Sequence, residues 1–395
     1  MFITDVVILH GARTPMARYT GAFNNTSAID LAALAGGEAI RRSGADPAEF
    51  DHVVFGNVMQ TSSDALYGAR HVGLKAGLPV ETPAVTVNRL CGSGMEAITQ
   101  AAQRILLGEA RLVLAGGMEN MSQCPHVIRG ARTGLRMGEG ALEDSLSSGL
   151  FDSYCGFSMS DTAENLATEQ GITREASDDY ALRSQQAAEA AFQSCKMKDE
   201  IVPVEVKKGK KTTLVGEDDH RRPETTIETL RGLPPAFHKD GIVTAGNASG
   251  IVDGAAAVVV THAKNAQEHG WKPLGRLVSY ASAGVPPRIM GIGPVPAIRK
   301  ALALANLKLD QMDLVEVNEA FAAQYLAVEK LLGLDRDKTN VNGGAIAVGH
   351  PLAATGTRLV LTLLLELRRR GGHYGVASAC IGGGQGIAVI VESMN

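Results

Sequence analysis

No CxxC pair, no block of like charge and no apolar run long enough for a bilayer occurs in these 395 residues. Each absence closes off a class of function. The five cysteines, Cys91, Cys124, Cys155, Cys195 and Cys380, are odd in number and widely spaced. That argues against a zinc site and against a secreted disulfide framework, and reduced thiols in a cytosol-like compartment are expected. A net charge of −4, with both signs mixed along the chain, gives no reason to expect a nucleic-acid partner. The densest basic cluster, Lys207, Lys208, Lys210 and Lys211, reads as a solvated hairpin. The longest apolar run, around residues 359–367, holds Thr362 and Glu366 and is too short to cross a membrane. The opening Asp5-Val-Val-Ile-Leu-His10 reads as a strand rather than a basic leader with an apolar core. The closing Glu392-Ser-Met-Asn395 is not a peroxisomal address. The expectation is a cytoplasmic protein with no membrane partner.

What is present is ample apolar content, 45%, for a large core and two or three domains. Short apolar strands alternate with helix-like stretches in the first ~120 and last ~125 residues, the pattern of a layered α/β fold. Strands are expected at 53–58, 84–87 and 112–115, with helices at 29–42 and 92–107. The later part gives a helix at 296–304, a strand at 314–317, an extended piece at 340–342, a helix at 354–369 and a strand at 374–379. The two parts echo one another. Asp51-His-Val-Val-Phe-Gly56 parallels Asp313-Leu-Val-Glu-Val-Asn318, and Val87-Asn88 with Ser93-Gly94 parallels Val341-Asn342 with Thr355-Gly356. A duplicated α/β unit offers one site where its halves meet. From Glu119 to Gly250 the chain is richer in Gly, Ser, Arg and Asp, with two long helix-like runs. One covers 162–170. The other is expected to start behind Ser177 as N-cap, with Asp178 and Asp179 in its first turn. This region reads as an insertion covering the site.

Four segments carry the chemistry. In Asn88-Arg-Leu-Cys-Gly-Ser-Gly-Met-Glu-Ala-Ile98 a strand ends and small residues lead into a helix. A thiol there, at Cys91, meets unpaired N–H groups and the positive end of the helix dipole, which favour thiolate, and the glycines allow an acyl group close to the backbone. In Asn340-Val-Asn-Gly-Gly-Ala-Ile-Ala-Val-Gly-His-Pro-Leu-Ala-Ala-Thr-Gly356, His350 sits in a glycine-rich turn before a helix and is the best candidate base for a thiol. Ala379-Cys-Ile-Gly-Gly-Gly-Gln-Gly386 puts Cys380 at a strand end before a turn whose N–H groups can face an oxyanion. An apolar strand follows it, which excludes a dinucleotide fingerprint. In Val315-Glu-Val-Asn-Glu-Ala-Phe-Ala-Ala323, Asn318 ends a strand and Glu319 is expected to open a helix; the asparagine is a simple cap or fixes a water or a substrate carbonyl.

Together these segments strongly resemble the thiolase family, as do Gly116-Gly-Met-Glu-Asn-Met-Ser122 and Ala245-Gly-Asn-Ala-Ser-Gly250. The resemblance covers essentially the whole chain. It implies a duplicated five-layer α-β-α-β-α core of the α/β class with an inserted loop domain. The N-terminal half is residues 1–119, completed by about 251–270; the insertion is 120–250; the C-terminal half is 271–395. It implies that Cys91 is the acyl-accepting nucleophile, His350 its base, and Cys380 the group that moves the substrate α-proton. Asn318 holds a water in one oxyanion hole with the histidine, and the N–H groups of Cys91 and Gly382 form a second. Ser249, in the segment opened by Ala245, corresponds to a pantetheine-contacting serine; Leu150, Phe237, Ala320 and Phe321 fall along the pantetheine tunnel, and Arg222 where a basic side chain meets the nucleotide end of CoA. Met159 and Met290 flank the acyl group. Short-chain biosynthetic members carry a His-Met pair where this chain has Ser158-Met159, a departure beside the acyl pocket.

The implied activity is acetyl-CoA C-acetyltransferase: condensation of two acetyl-CoA to acetoacetyl-CoA and the reverse thiolysis by CoA, within fatty acid metabolism, in a homotetramer. CoA is substrate and product; no metal or redox cofactor is needed. A thiolase for longer or dicarboxylic 3-ketoacyl-CoAs would use the same catalytic residues. A ketoacyl-synthase relative would carry a second histidine in place of Cys380, and a non-catalytic acyl-CoA-binding protein would lack Cys91, His350 or Cys380.

Overall fold

The computed structural model describes residues 5–394. Nine strands run in series through its ten-stranded main sheet: β1 (Val6–Arg13), β2 (His52–Gly56), β3 (Ala84–Val87), β4 (Leu112–Glu119), β5 (Val252–His262), β6 (Gly275–Gly284), β7 (Leu314–Val317), β8 (Tyr374–Ile381) and β9 (Gln385–Ser393); the tenth, Ala17–Arg18, pairs with the start of β5. Their order is β7-β8-β9-β6-β1-β5-β4-β2-β3. Read outward from the centre, the halves match. In each, the first strand pairs antiparallel with the last, the last pairs antiparallel with the next, and the outer strands run parallel. The half-sheets join by a short antiparallel pairing of Val7 with Arg276 and Ile8 with Gly275. The piece that echoes β3, at 340–342, is not a strand. It is reduced to one bridge between Thr339 and Val315, because Asn340 turns left-handed (φ 48°) and its amide bonds both N–H and C=O of Val317.

Seven longer helices complete the layers: α1 (Ala28–Ser43), α2 (Ser93–Leu106), α3 (Met159–Gln170), α4 (Arg174–Gln193), α5 (Pro294–Ala305), α6 (Ala322–Leu332) and α7 (Leu352–Arg370). Helices α2 and α7 pack together between the half-sheets. Side chains alternate along a strand. Val6, Ile8, Val113, Val258 and Val389 therefore face this central layer. Val7, Leu9, Leu114 and Val259 face α1, and Val376 and Ile390 face α5 and α6. Burial on both faces is why these strands read as continuous apolar runs. The central helices meet at their first turns through glycine. A Cβ on Gly94 would stand 2.6 Å from Ala353 O, and one on Gly356 2.5 Å from Met95 N.

Between β4 and β5 lie α3, α4 and the antiparallel hairpin Val204–Lys208 with Lys211–Val215, so the lysine cluster does sit on a hairpin. Helix α4 starts four residues before the expected point, at Arg174. Thr173, whose Oγ1 accepts from Ala176 N, is its cap, and Ser177 lies inside the first turn, donating to Thr173 O at 3.0 Å. Among the described residues, no helix is long and apolar enough to cross a membrane.

Candidate active site

Cys91 stands in the turn between β3 and α2. Asn88 Oδ1 accepts from Leu90 N (2.9 Å), while Ser93 Oγ accepts from Arg89 N (2.8 Å) and donates to Leu90 O (2.7 Å). These bonds hold Leu90 at φ 47°, a region costly for a leucine, and strain of this kind commonly sits at functional sites. Gly92 serves packing rather than acyl approach: its Cβ would meet Ile381 Cδ1 at 2.6 Å. The expected thiolate is also corrected. Burial pushes the Cys91 thiol up to about 11. The N–H groups of Gly382 and of Cys91 itself pull it down, and the charge of Glu119 adds to the rise. Cys91 therefore rests as a neutral thiol and needs a base.

His350 is placed by the turn before α7, where Gly349 takes φ 96° and His350 N donates to Gly250 O at 2.9 Å. Its Nδ1 lies 2.7 Å from Thr355 Oγ1, and its Nε2 lies 3.4 Å from Asn318 Nδ2. The Thr355 hydroxyl also reaches Pro351 O at 3.3 Å. We assign the Thr355 proton to that carbonyl, which puts the imidazole proton on Nδ1 and leaves Nε2 free to accept. Burial, reinforced by the charge of Arg358, holds the ring down at about 3, so it is neutral and ready to take a proton.

Asn318 follows β7, its N–H donating to Ser378 O at 2.9 Å. Its Oδ1 is buried without a protein partner among the described residues. A polar atom so placed fits a water or a substrate oxygen. Glu319 does not open a helix; α6 starts at Ala322. The Glu319 carboxylate is buried and accepts from Tyr180 Oη (2.7 Å), Ser184 Oγ (2.7 Å), Asn340 Nδ2 (3.1 Å) and Ile346 N (3.1 Å). It ties the Asn318 strand end to α4 and to the segment leading into His350.

Cys380, one residue from the end of β8, pairs with Gly386. It packs with Met290, Ala320, Met159 and Phe321. Burial and the nearby Cys91 charge push its thiol well above the usual range. Gly382 opens the turn to β9, followed by Gly383 and Gly384 at φ 78° and 82°, and it is the turn's N–H donor toward Cys91. The two thiols thus differ, and Cys91 is the one with a donor from another residue.

One cavity of about 410 Å3 is lined by Cys91, His350, Ser249, Leu150, Met159, Met290, Phe237, Ala320 and Phe321. Two expected binding residues lie outside this lining. Arg222 is held by its backbone N–H on Gln185 and its side chain is exposed; Ala245 sits in a turn fixed by the Asn247 side chain, with its methyl outward. Met121, Leu146, Ser147, Ser160, Ile251 and Leu352 also line the cavity; no local pattern in the sequence marks them. Ser158 lines it too and caps α3, accepting from Asp161 N while Asp161 Oδ2 accepts from Ser158 N at 2.7 Å. Glu119 is a further buried carboxylate unseen in the sequence. It accepts from Met59 N, Val58 N, Asn57 Nδ2 and, in the first turn of α7, Ala353 N. Burial pushes it up to about 7.

Comparison with known proteins adds to this geometry. A family model described as the thiolase N-terminal domain matches residues 6–264, and the thiolase C-terminal domain matches 271–393. Human mitochondrial 3-ketoacyl-CoA thiolase is 54% identical over 99% of both chains. The acetyl-CoA acetyltransferase of Escherichia coli strain K12 is 49% identical over 99% of this chain and 100% of its own. A crystal structure of the human mitochondrial 3-ketoacyl-CoA thiolase in complex with CoA superposes with a TM-score of 0.97, covering 100% of this chain and 99% of that one at 52% identity.

Proposed function

Because the chain belongs to the thiolase family of acyltransferases, we propose that it joins two acetyl-CoA molecules into acetoacetyl-CoA and runs the reverse thiolysis. The observation that carries this is Cys91 sharing one cavity with His350 while receiving the Gly382 N–H. His350 Nε2 takes the Cys91 proton and the thiolate attacks the thioester carbonyl. The oxyanion is held by the Cys91 and Gly382 N–H groups. CoA leaves with the proton from Cys380, acetyl remains on Cys91, and Cys380 is left as a thiolate while His350 keeps the proton it took from Cys91. In the second half the Cys380 thiolate removes an α-proton from another acetyl-CoA, whose enolate oxygen faces the protonated His350 and the Asn318 site. The carbanion attacks the acetyl-enzyme, acetoacetyl-CoA leaves, and the His350 proton returns the Cys91 sulfur to a thiol, with Cys380 again a thiol. Arg222, at the surface, meets the nucleotide end of CoA in this reading, with Ser249 beside the pantetheine. The assembly is a homotetramer and the location cytoplasmic; light scattering on the purified protein reads the first.

A second reading, cleavage of longer 3-ketoacyl-CoAs, is favoured by the 54% identity to a 3-ketoacyl-CoA thiolase and by Ser158. Mixing with acetyl-CoA should add one acetyl group to the intact protein and none to Cys91→Ser. Preferred turnover of acetoacetyl-CoA over an eight-carbon 3-ketoacyl-CoA supports the short-chain assignment, and the opposite preference overturns it.

A further inference from the structure

Two separate pieces of chain form part of the cavity wall, and a pair of carboxylates joins them. Helix α3 begins at Met159 and supplies Met159 and Ser160, with Ser158 as its cap. The loop 236–243 supplies Phe237, which is 57% exposed. This loop closes on itself, Ala236 N donating to Val243 O at 2.9 Å and Gly241 N to His238 O at 3.1 Å. Glu164 of α3 then takes two of its backbone N–H groups, Val243 N on Oε1 at 2.9 Å and Ile242 N on Oε2 at 3.1 Å. Asp161, three residues earlier and so on the same helix face, meets His238 Nε2 through Oδ1 at 2.5 Å. Gly241 is needed for this approach, because a Cβ there would collide with the Glu164 carboxylate. Two N–H groups on one carboxylate fix orientation as well as distance. The other oxygen of Asp161 accepts from Ser158 N, so one carboxylate serves both the helix cap and the loop.

We infer that Asp161 and Glu164 clamp the loop 236–243 to α3, and that this clamp sets the spacing of Phe237 from Ser158 and Met159 and hence the enzyme's selectivity among acyl-CoA chains. Neither carboxylate nor His238 lines the cavity; all three are positioning residues. The inference rests on the cavity being the acyl-CoA site. The clamp also accounts for the place of Ser158. A serine there caps α3 and leaves Asp161 able to hold His238, so the departure from the His-Met pair sits inside the clamp.

The test is thiolysis kinetics of the full-length protein with acetoacetyl-CoA and an eight-carbon 3-ketoacyl-CoA, for the wild type, Glu164→Ala, Glu164→Gln and His238→Ala. Glu164→Ala should raise KM for acyl-CoA about 5-fold with kcat within about 2-fold, and move the long-to-short ratio of kcat/KM by about 3-fold or more. Glu164→Gln, which keeps one acceptor oxygen, should recover part of the change. His238 is an exposed side chain, so His238→Ala carries the test if Glu164→Ala fails to fold. An active wild type with unchanged KM and chain-length ratio in the folded variants overturns the clamp, as does a loss confined to kcat. A wild type that cleaves neither substrate removes the functional reading instead, and the inference with it.

Discussion

With Cys91 pushed up to about 11 and His350 held down to about 3, neither group is charged near neutral pH, and proton transfer between them waits for substrate. The two shifts have separate consequences. Glu119 adds to the rise at Cys91 that burial causes, so Glu119→Gln should move the midpoint of Cys91 alkylation by iodoacetamide to lower pH. An unchanged midpoint in a folded variant would leave Glu119 a purely structural role. For His350 the sign concerns stability. The unfolded imidazole binds a proton from about pH 6.5 downward, the native one only near its depressed value, so the unfolded state holds more protons between the two. Stability is therefore lost as pH falls through that window. His350→Gln should lose less melting temperature than wild type on going from about pH 7 to about pH 4. Thr355 fixes the imidazole through Nδ1. Thr355→Val should lower kcat by about 10- to 100-fold with little change in KM, and Thr355→Ser should restore it.

Among the elements, α2 and α7 decide whether the site assembles, since Cys91 precedes one and His350 the other. Their first turns are in contact at Gly94 and Gly356. Gly94→Ala forces a methyl against Ala353 O and Thr357 N, both at 2.6 Å, and should cost about 1–3 kcal/mol, read as a lower urea midpoint. At α3, Ser158→Ala removes the cap hydroxyl and should cost about 1 kcal/mol in the same measurement. The extents of α1, α2, α5 and α7 were legible from apolar periodicity to within a few residues. The start of α4 was not, because Thr173 and Ser177 are both good local caps and the earlier one is used; nor was the irregular stretch after β7, because long-range partners set it. Glu319 is held by four donors from distant segments, so its backbone turns into a loop where local pattern offers a helix.

At the scale of the whole molecule, a buried ion network joins the half-sheet to the segments that cover it. Arg13 on β1 donates to Asp218 Oδ1 and Oδ2 at 2.6 and 2.8 Å and to Glu200 Oε1 at 2.7 Å. Glu200 Oε2 accepts from Thr362 of α7 at 2.7 Å. All three charged groups are almost wholly buried. Arg13→Leu would strand two carboxylates without a counter-charge and should cost about 3–5 kcal/mol, measured by denaturant unfolding; a near-neutral result would mean that the carboxylates become protonated instead.

Amino-acid order alone determined the duplicated α/β pattern and the candidate residues Cys91, His350, Cys380 and Asn318, because strand ends, glycine turns and helix starts are local features with local chemistry. The echo between Ser93-Gly94 and Thr355-Gly356 belongs to the same class: each lies in the first turn of a central helix. Tertiary structure decided what surrounds those residues. Burial raised Cys91 where helix position predicted the reverse, since removing a thiolate from water outweighs the donors it faces. Glu119, Glu319 and the Asp161–Glu164 pair gain their roles from N–H groups far along the chain, and such contacts have no periodicity to read.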